Sequence, residues 1–283
     1  MTTPRPWAYS AFRVEVRARR QLSPRFLRLT FGGPDLRHFA PWGADQRIKL
    51  FLPMADGSVP EFGLLDDPTP HPSEWYARWR ALPEDARNVL RTYTPAAIRP
   101  EAREIDVDFF LHTPAGPASA WAIDATIGES LVLTGPDVRM GYTGYGLHWK
   151  PGDARRFLLV ADETAYPAAR NILATLPADA DIDLLIEVDD AADEILSRSA
   201  PAGARVAVAQ RGALEESGVE RAARAWTARN GARAAKDPRF FAWIAGEAGS
   251  TTRIRRMLTG EAGIPKDRVA FLGYWRTGGA LVD

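Results

Sequence analysis

Cysteine is absent from the 283 residues. This excludes disulfides, a thiol nucleophile, zinc–thiolate sites and cysteine-ligated iron–sulfur clusters, so redox chemistry here needs a bound organic cofactor. Net charge is absent as well: 36 basic residues balance 36 acidic ones. No whole-molecule field is left to hold a nucleic acid or an anionic membrane, and any basic site must be local. No apolar run reaches the roughly 18 residues of a membrane-spanning helix. Residues 1–10 (MTTPRPWAYS) lack the apolar segment of a signal peptide, so a cytoplasmic location is the expectation. The four histidines, His38, His71, His112 and His148, lie too far apart to suggest a metal site. No Gly-x-Ser-x-Gly elbow or Walker-type loop is present, which weakens hydrolase and nucleotidase readings. Only four of the 36 cations are lysines (Lys49, Lys150, Lys236, Lys266), a compositional bias that carries no functional signal.

What is present is an ordinary globular composition, 46% hydrophobic and 25% charged, over about twice the length of a typical domain. Two domains are expected, residues 1–150 and 151–283, parted near Pro151-Gly152-Asp153. In the first, short segments alternate with period two: Phe12, Val14, Val16; Leu27, Leu29, Phe31; Ile48, Leu50, Leu52, with Lys49 on the opposite face. A helix opening at Ser73 and ended by Pro83 is expected as an insertion. Strand character returns at 88–94, 104–112 and 131–134. Six strands joined by turns predict a small antiparallel barrel. After residue 153 the texture changes. The continuous apolar run 157–161 reads as a strand covered on both faces. Helices over 164–176, 215–229 and 251–258 alternate with strands over 182–188, 206–209, 240–245 and 269–274, which predicts a doubly wound α/β domain.

Three places could carry chemistry. In Arg91-Thr92-Tyr93-Thr94, alternation puts Arg91 and Tyr93 on one face, where a guanidinium and a ring could grip an extended ligand. A flavin dinucleotide suits them, with its pyrophosphate on Arg91, its ring near Tyr93 and its N5 within reach of Thr94. The same residue types also occur in ordinary strands. From Gly116 to Ala122, a glycine permits close backbone approach and Pro117 can start a helix whose free N–H groups face an anion; an ordinary helix start explains the residues equally. Asp162-Glu163-Thr164 and Gly246-Glu247 stand at the carboxyl ends of two predicted parallel strands, where open α/β sheets bind ligands. Acids complementing the helix dipole would look the same. Gly141, Gly144 and Gly146 precede rather than follow an apolar strand, so they read as a turn.

In these blocks the chain resembles the siderophore-interacting protein family, flavin reductases of the ferredoxin-reductase superfamily. The resemblance rests on Arg91-Thr92-Tyr93-Thr94; on His112 with Gly116-Pro117-Ala118-Ser119-Ala120-Trp121-Ala122; on Asp162-Glu163-Thr164-Ala165 with Pro167-Ala168; and on Ala245-Gly246-Glu247 followed by Gly273-Tyr274-Trp275-Arg276. It implies an antiparallel six-stranded Greek-key β-barrel holding FAD, followed by a doubly wound parallel-sheet domain for NADH or NADPH. The implied activity is reduction of Fe(III) in a ferric siderophore to weakly held Fe(II). By the same carry-over Arg91, Tyr93 and Thr94 hold the flavin, and His112, Gly116, Pro117, Ala118, Ser119 and Trp121 line its ribityl and phosphate path. Asp162, Glu163, Thr164, Gly246, Glu247 and Trp275 border the nicotinamide cleft.

No side chain need act as acid or nucleophile, because a flavin carries the electrons. An anionic ferric chelate would be drawn by a local basic pocket, for which Lys49, Arg139 and Arg253 are the candidates. The chain departs from the family pattern where a second arginine commonly follows the Thr by two residues: here stand Pro95-Ala96, and Arg99 is the available substitute. Two other readings stay open: a reductase of this architecture serving a protein or free-flavin acceptor, and a non-catalytic siderophore carrier. No membrane or nucleic-acid partner is expected, and a monomer is the working expectation.

Overall fold

The computed structural model describes residues 7–212 and 216–278. Residues 1–6 of the leader reading, and Glu215, the expected start of the 215–229 helix, lie outside them. The chain divides into two compact units, Met1–Gly146 and Leu147–Asp283.

The first unit contains β1 (Tyr9–Ser23), β2 (Phe26–Gly32), β3 (Ile48–Phe51), α1 (Pro72–Ala81), β4 (Leu90–Tyr93), β5 (Pro95–Arg99), β6 (Glu104–Phe110), α2 (Pro117–Asp124) and β7 (Ser130–Pro136). The strands form one antiparallel sheet in the order β4-β3-β7-β1-β2-β6-β5. β1 is long enough to serve two partners: its first half pairs with β7 and its second with β2, with register shifts after Val16 and Gln21. Such irregularities bend a strand and tighten its twist, which curls the sheet around its apolar face. Phe12, Val14 and Val16 meet Leu29, Phe31, Ile48, Leu50, Val107, Phe109 and Leu133 in the core, as the alternation requires. On the other face α1 lays Trp75 and Trp79 over Phe51, Leu90 and Val132.

This corrects the expectation of a closed six-stranded Greek-key barrel. The sheet has seven strands and two edges, a curled half-barrel whose ladder is open between β4 and β5. The extra strand follows directly on the fourth. A proline reads as a strand stop because it lacks an N–H, yet it is tolerated where an edge strand leaves that position unpaired. Pro95 stands opposite Val107, and the register shifts between Pro95 and Ala97. A single residue, Thr94, thus separates a strand paired with β3 from one paired with β6.

The second unit contains β8 (Arg156–Ala161), α3 (Tyr166–Thr175), β9 (Asp181–Val188), β10 (Arg205–Gln210), α4 (Gly218–Lys236), β11 (Phe240–Glu247), α5 (Ala248–Arg256) and β12 (Val269–Trp275). Its five strands are all parallel, in the order β10-β9-β8-β11-β12. Strands β8, β9 and β11 are buried almost end to end, which is why 157–161 reads as a continuous apolar run. The stacked rings of Trp226 and Phe240 tie α4 to the sheet. The crossover from β9 to β10 carries only two single 3-10 turns, Ala191–Asp193 and Ser197–Ser199. Val206 and Val208 of edge strand β10 remain 38% and 49% exposed. Among the described residues no helix is long and apolar enough to cross a membrane.

Candidate functional site

In the first unit the register settles which way the Arg91 strand faces. Leu50 stands opposite Arg91 and Ile48 opposite Tyr93, and directly paired residues share a face. Arg91 and Tyr93 therefore lie on the same side of the sheet as the core. The half-buried Tyr93 ring packs on Phe109 at 4.7 Å, and burial pushes its phenol pKa up against the opposing charge of Arg91. Phe109 in turn meets Trp121 of α2 at 6.1 Å, so a row of rings links the Arg-x-Tyr-Thr strand to the Gly116 helix. The structure thus brings together two blocks far apart in sequence.

Both blocks hold unspent donors. Arg91 Nη1 donates to the carbonyl of Leu90 at 2.8 Å, and among the described residues no carboxylate pairs the guanidinium. Thr94 is buried, 6% exposed. The start of α2 has Pro117 in its first turn and Gly116 as its N-cap, with no side-chain cap for the first N–H groups, those of Ala118 and Ser119. A Cβ added at Gly116 would meet nothing within 4 Å. A guanidinium with no carboxylate partner among the described residues, an uncapped helix start and open space over a glycine are the donor set a dinucleotide pyrophosphate requires, so the residues fit FAD. Ser119 Oγ accepts from the His112 backbone N–H at 3.3 Å and donates to the Phe110 carbonyl, holding His112 beside the helix start. The indole N–H of Trp121 donates to Glu129 at 2.6 Å, which makes Trp121 a packing wall rather than a donor to a ligand.

The other candidate cations of this unit have partners of their own. Arg99 lies in β5 rather than in a loop, and its guanidinium donates to both oxygens of Asp106, at 2.8 and 2.7 Å, and to Glu104. It does not stand in for the missing second arginine. Arg139 is held by Asp137, which also accepts from Ser10. Burial alone would raise the Asp137 pKa, but the bonds from Arg139 and Ser10 outweigh it and hold the carboxyl below its usual range. Lys49 pairs with Thr92 and Thr134, on the face opposite Arg91 and Tyr93, and its Nζ donates to Thr92 Oγ1 at 3.3 Å. Gly141, Gly144 and Gly146 all have positive φ in a turn, with no helix starting behind them.

In the second unit strand order reverses at β8, between β9 on one side and β11 on the other, so the carboxyl ends of β8 and β11 flank a topological switch point. Asp162 leaves β8 there. Its Oδ1 accepts from Thr164 N and Oγ1 at 2.9 and 2.5 Å, and its Oδ2 accepts from Trp275 Nε1 at 2.7 Å. Gly246, at φ +152°, makes room: a Cβ on it would lie 2.6 Å from Asp162 Oδ2. Glu247 caps α5 by accepting from Ser250 N at 2.7 Å. Asp162, Glu163, Thr164, Gly246 and Trp275 are thus gathered at one end of the sheet, with Asp162 and Glu247 serving as helix caps. Arg253 feels the charge of Glu247 but is committed to Glu220, bidentate at 2.8 Å on both arms.

Two residues of this cluster, Glu187 and Arg211, escaped the sequence reading. Glu163, fully buried, accepts from Asp189 N at 2.6 Å and from Arg211; Arg211 also donates to Glu187 at 3.2 Å and lies over the Trp275 ring at 5.3 Å. Burial pushes the Glu163 carboxyl up to about 7 despite the opposing charge of Arg211, and it raises Asp162 as well. Glu187 left a signal, an acid inside the apolar run Ile182-Asp183-Leu184-Leu185-Ile186-Glu187-Val188. Arg211 left none, being one arginine among many.

A curled antiparallel sheet whose Arg-x-Tyr-Thr edge strand is linked to an uncapped helix start, on one chain with a parallel sheet of this order, is the frame of an FAD-binding protein. The model of the siderophore-interacting FAD-binding domain matches residues 15–140, and that of the siderophore-interacting protein matches residues 154–278. The chain belongs to the siderophore-interacting protein family. Among solved structures it is similar to a siderophore utilization protein from T. fusca, at 28% identity and TM-score 0.75, covering 98% of this chain and 97% of that one. It is also similar to the siderophore-interacting protein SipS from Aeromonas hydrophila, at 25% identity and TM-score 0.70, covering 95% and 100%. Among curated proteins it is 26% identical over 272 residues to the ferric vibriobactin reductase ViuB of Vibrio cholerae, covering 92% of this chain and 87% of the relative. It is 29% identical over 226 residues to the mycobactin import ATP-binding/permease protein IrtA of Mycolicibacterium smegmatis, covering 77% of this chain but only 24% of that protein. The chain thus spans about a quarter of the length of the mycobactin import proteins it matches.

Proposed function

We propose that the protein is a cytoplasmic, FAD-dependent reductase that takes electrons from NADH or NADPH and reduces ferric siderophores, releasing iron as Fe(II). The observation that carries this reading is the charged donor of Arg91, unpaired by any carboxylate among the described residues, on a strand whose neighbouring helix start is uncapped. Bound FAD would supply the conversion of a hydride pair into the single electrons that iron accepts. The chain's residues bind and orient. Arg91 and the N–H groups of Ala118 and Ser119 hold the pyrophosphate, Tyr93 offers a flat apolar wall, and Thr94 can donate to the ring edge. A chelate that binds Fe(III) far more tightly than Fe(II) loses its grip on reduction, so placement of the chelate suffices and no protein acid or nucleophile is needed.

Purified protein reconstituted with FAD should be yellow and should bleach with NADH or NADPH under anaerobic conditions. Adding a ferric siderophore should restore the colour while a chromogenic chelator traps Fe(II). Indifference to every ferric siderophore, with turnover on a protein or free-flavin acceptor, would replace the substrate. Protein that takes up no FAD yet binds the siderophore would make it a carrier. The commitment of Arg99 to Asp106 and Glu104 is the specific observation on that side, since it leaves Arg91 without a second arginine.

A further inference from the structure

The neutral total charge of the chain hides a local excess of cations in the second unit. Residues 221–239 hold six cations against one acid, Asp237. Most of these cations lie on α4, whose 19 residues make a rod about 28 Å long. At roughly 100° per residue, Arg221, Arg224, Arg229, Arg233 and Lys236 fall within about half of its circumference, and all are exposed. The opposite side of the helix carries Val219, Ala223 and Trp226 into the core. Glu220 is turned inward as well, 1% exposed, and is held by Arg253.

Elsewhere Arg28, Arg99, Arg139, Arg156, Arg205 and Arg211 each meet a carboxylate. On the outer face of α4 only Arg224 does, donating to Glu216 at 3.0 and 2.9 Å. Arg229, Arg233 and Lys236 make no side-chain hydrogen bond or ion pair among the described residues. Arg233 and Lys236, neighbours at i and i+3, also line an open hollow of about 530 Å³ together with Ala232 and Asp237. Asp237 is turned to other partners: its carboxylate lies 3.8 Å from Arg156 and accepts from the Arg239 N–H at 2.9 Å.

Between these cations the exposed positions are Ala225, Ala228 and Ala232. No ring or bulky aliphatic chain is offered there to anchor in the pocket of a protein partner. The one amide of the helix, Asn230, donates back to the Trp226 carbonyl at 3.3 Å rather than outward to a base edge. A flat anionic lipid surface needs neither device. It needs several cations along one helix face, each worth about fivefold in partitioning, with low relief between them. We infer that α4 is a membrane-docking face, on which the protein sits peripherally against anionic phospholipids with a headgroup phosphate taken between Arg233 and Lys236. Nothing on the face inserts into hydrocarbon, so the attraction is electrostatic and is reversed by salt. The inference is independent of the electron donor and acceptor proposed above.

The test is sedimentation of the full-length protein with vesicles of phosphatidylcholine, alone or with about a third phosphatidylglycerol. The anionic vesicles should retain the protein at least about tenfold better at low salt, and added salt should erase the difference. The triple variant Arg229→Gln, Arg233→Gln, Lys236→Gln should lose at least about tenfold of that binding. Its urea midpoint should stay in place, because glutamine is a good helix former and the three side chains have no partners to lose. A control of equal charge, Arg20→Gln, Arg80→Gln, Arg198→Gln, alters three exposed arginines off this helix and should bind within about twofold of the wild type. Equal retention by both kinds of vesicle, undiminished binding by the α4 variant, or an equal loss in the control would overturn the inference. Tighter binding, per phosphate, to a fluorescein-labelled DNA duplex would overturn it too, and would make the face a nucleic-acid site. The response of the wild type to lipid charge and salt decides the matter even if a variant folds poorly.

Discussion

Arginine meets carboxylate in both units, with opposite results. On the outer surface of the β2, β5 and β6 ladder, Arg28 and Arg99 share Asp106, Asp108 and Glu104 in a partly solvated lattice. Burial tends to raise the Asp106 pKa, but bonds from Arg99 and Thr30 and the charge of Arg28 outweigh it, and the carboxyl is held below its usual range. At the end of the parallel sheet, Arg211 serves Glu163 and Glu187 beside Asp162, three buried acids, and there burial wins: Glu163 rises to about 7. The number of cations per acid and the depth of the site decide the sign, not the presence of an ion pair.

Removing the one cation of the buried cluster should break this comparison most violently. Arg211→Gln leaves three buried carboxylates without a guanidinium, and urea unfolding should show a loss of about 3–5 kcal/mol. The loss should be larger at pH 8 than at pH 5.5, where Glu163 carries its proton. The same contrast fixes the pH dependence of the wild type. Because Glu163 has a raised folded pKa, its contribution is present below the ordinary glutamate range and is lost as pH rises towards about 7. Asp106 and Asp137, with lowered values, contribute above the ordinary aspartate range and lose that contribution as pH falls below it. Denaturation midpoints measured against pH should therefore fall on both sides of a mildly acidic maximum, and Glu163→Gln should flatten only the limb towards neutrality.

Arg91 is a third arrangement, an arginine with no acid partner among the described residues, and its removal should cost ligand rather than fold. Arg91→Ala should weaken FAD binding by about 1.5–3 kcal/mol in a fluorescence titration while leaving the urea midpoint of the FAD-free protein nearly unchanged. Gly246→Ala forces a Cβ against Asp162 Oδ2 at a positive φ, and about 1–3 kcal/mol of stability should be lost through displacement of the Asp162–Trp275 bond. The smallest effect is expected at Arg99→Ala, about 0–1 kcal/mol, because the pair is partly exposed and Arg28 and Thr30 still face Asp106. A loss of FAD affinity in that variant would return Arg99 to the flavin site.

The alternation of Phe12, Val14 and Val16 and the apolar run at 157–161 made both sheets legible, because burial on one face or on two writes itself into periodicity. The seventh strand was hidden by Pro95: a local rule about a missing N–H spoke against a strand that edge position permits. Arg91, Tyr93 and the Gly116 helix start were visible as chemistry, but their link through Phe109 depends on which strands pair, which no local pattern records. Arg139 and Arg253 looked like free cations and are bound to Asp137 and Glu220, pairings that composition cannot reveal. Arg211 stayed invisible because its role comes from acids and a ring brought to it by different segments of the fold.

Strand β10 is bare along one side because the crossover before it never becomes a helix. Among the described residues nothing pairs the outer edge of β10, and the strand has no lysine or proline to guard it beside its two exposed valines, so warm or crowded samples should begin to clump at this rim. Val208→Lys is then the natural change for a longer shelf life, since it leaves Arg211 and the acids at the strand ends untouched.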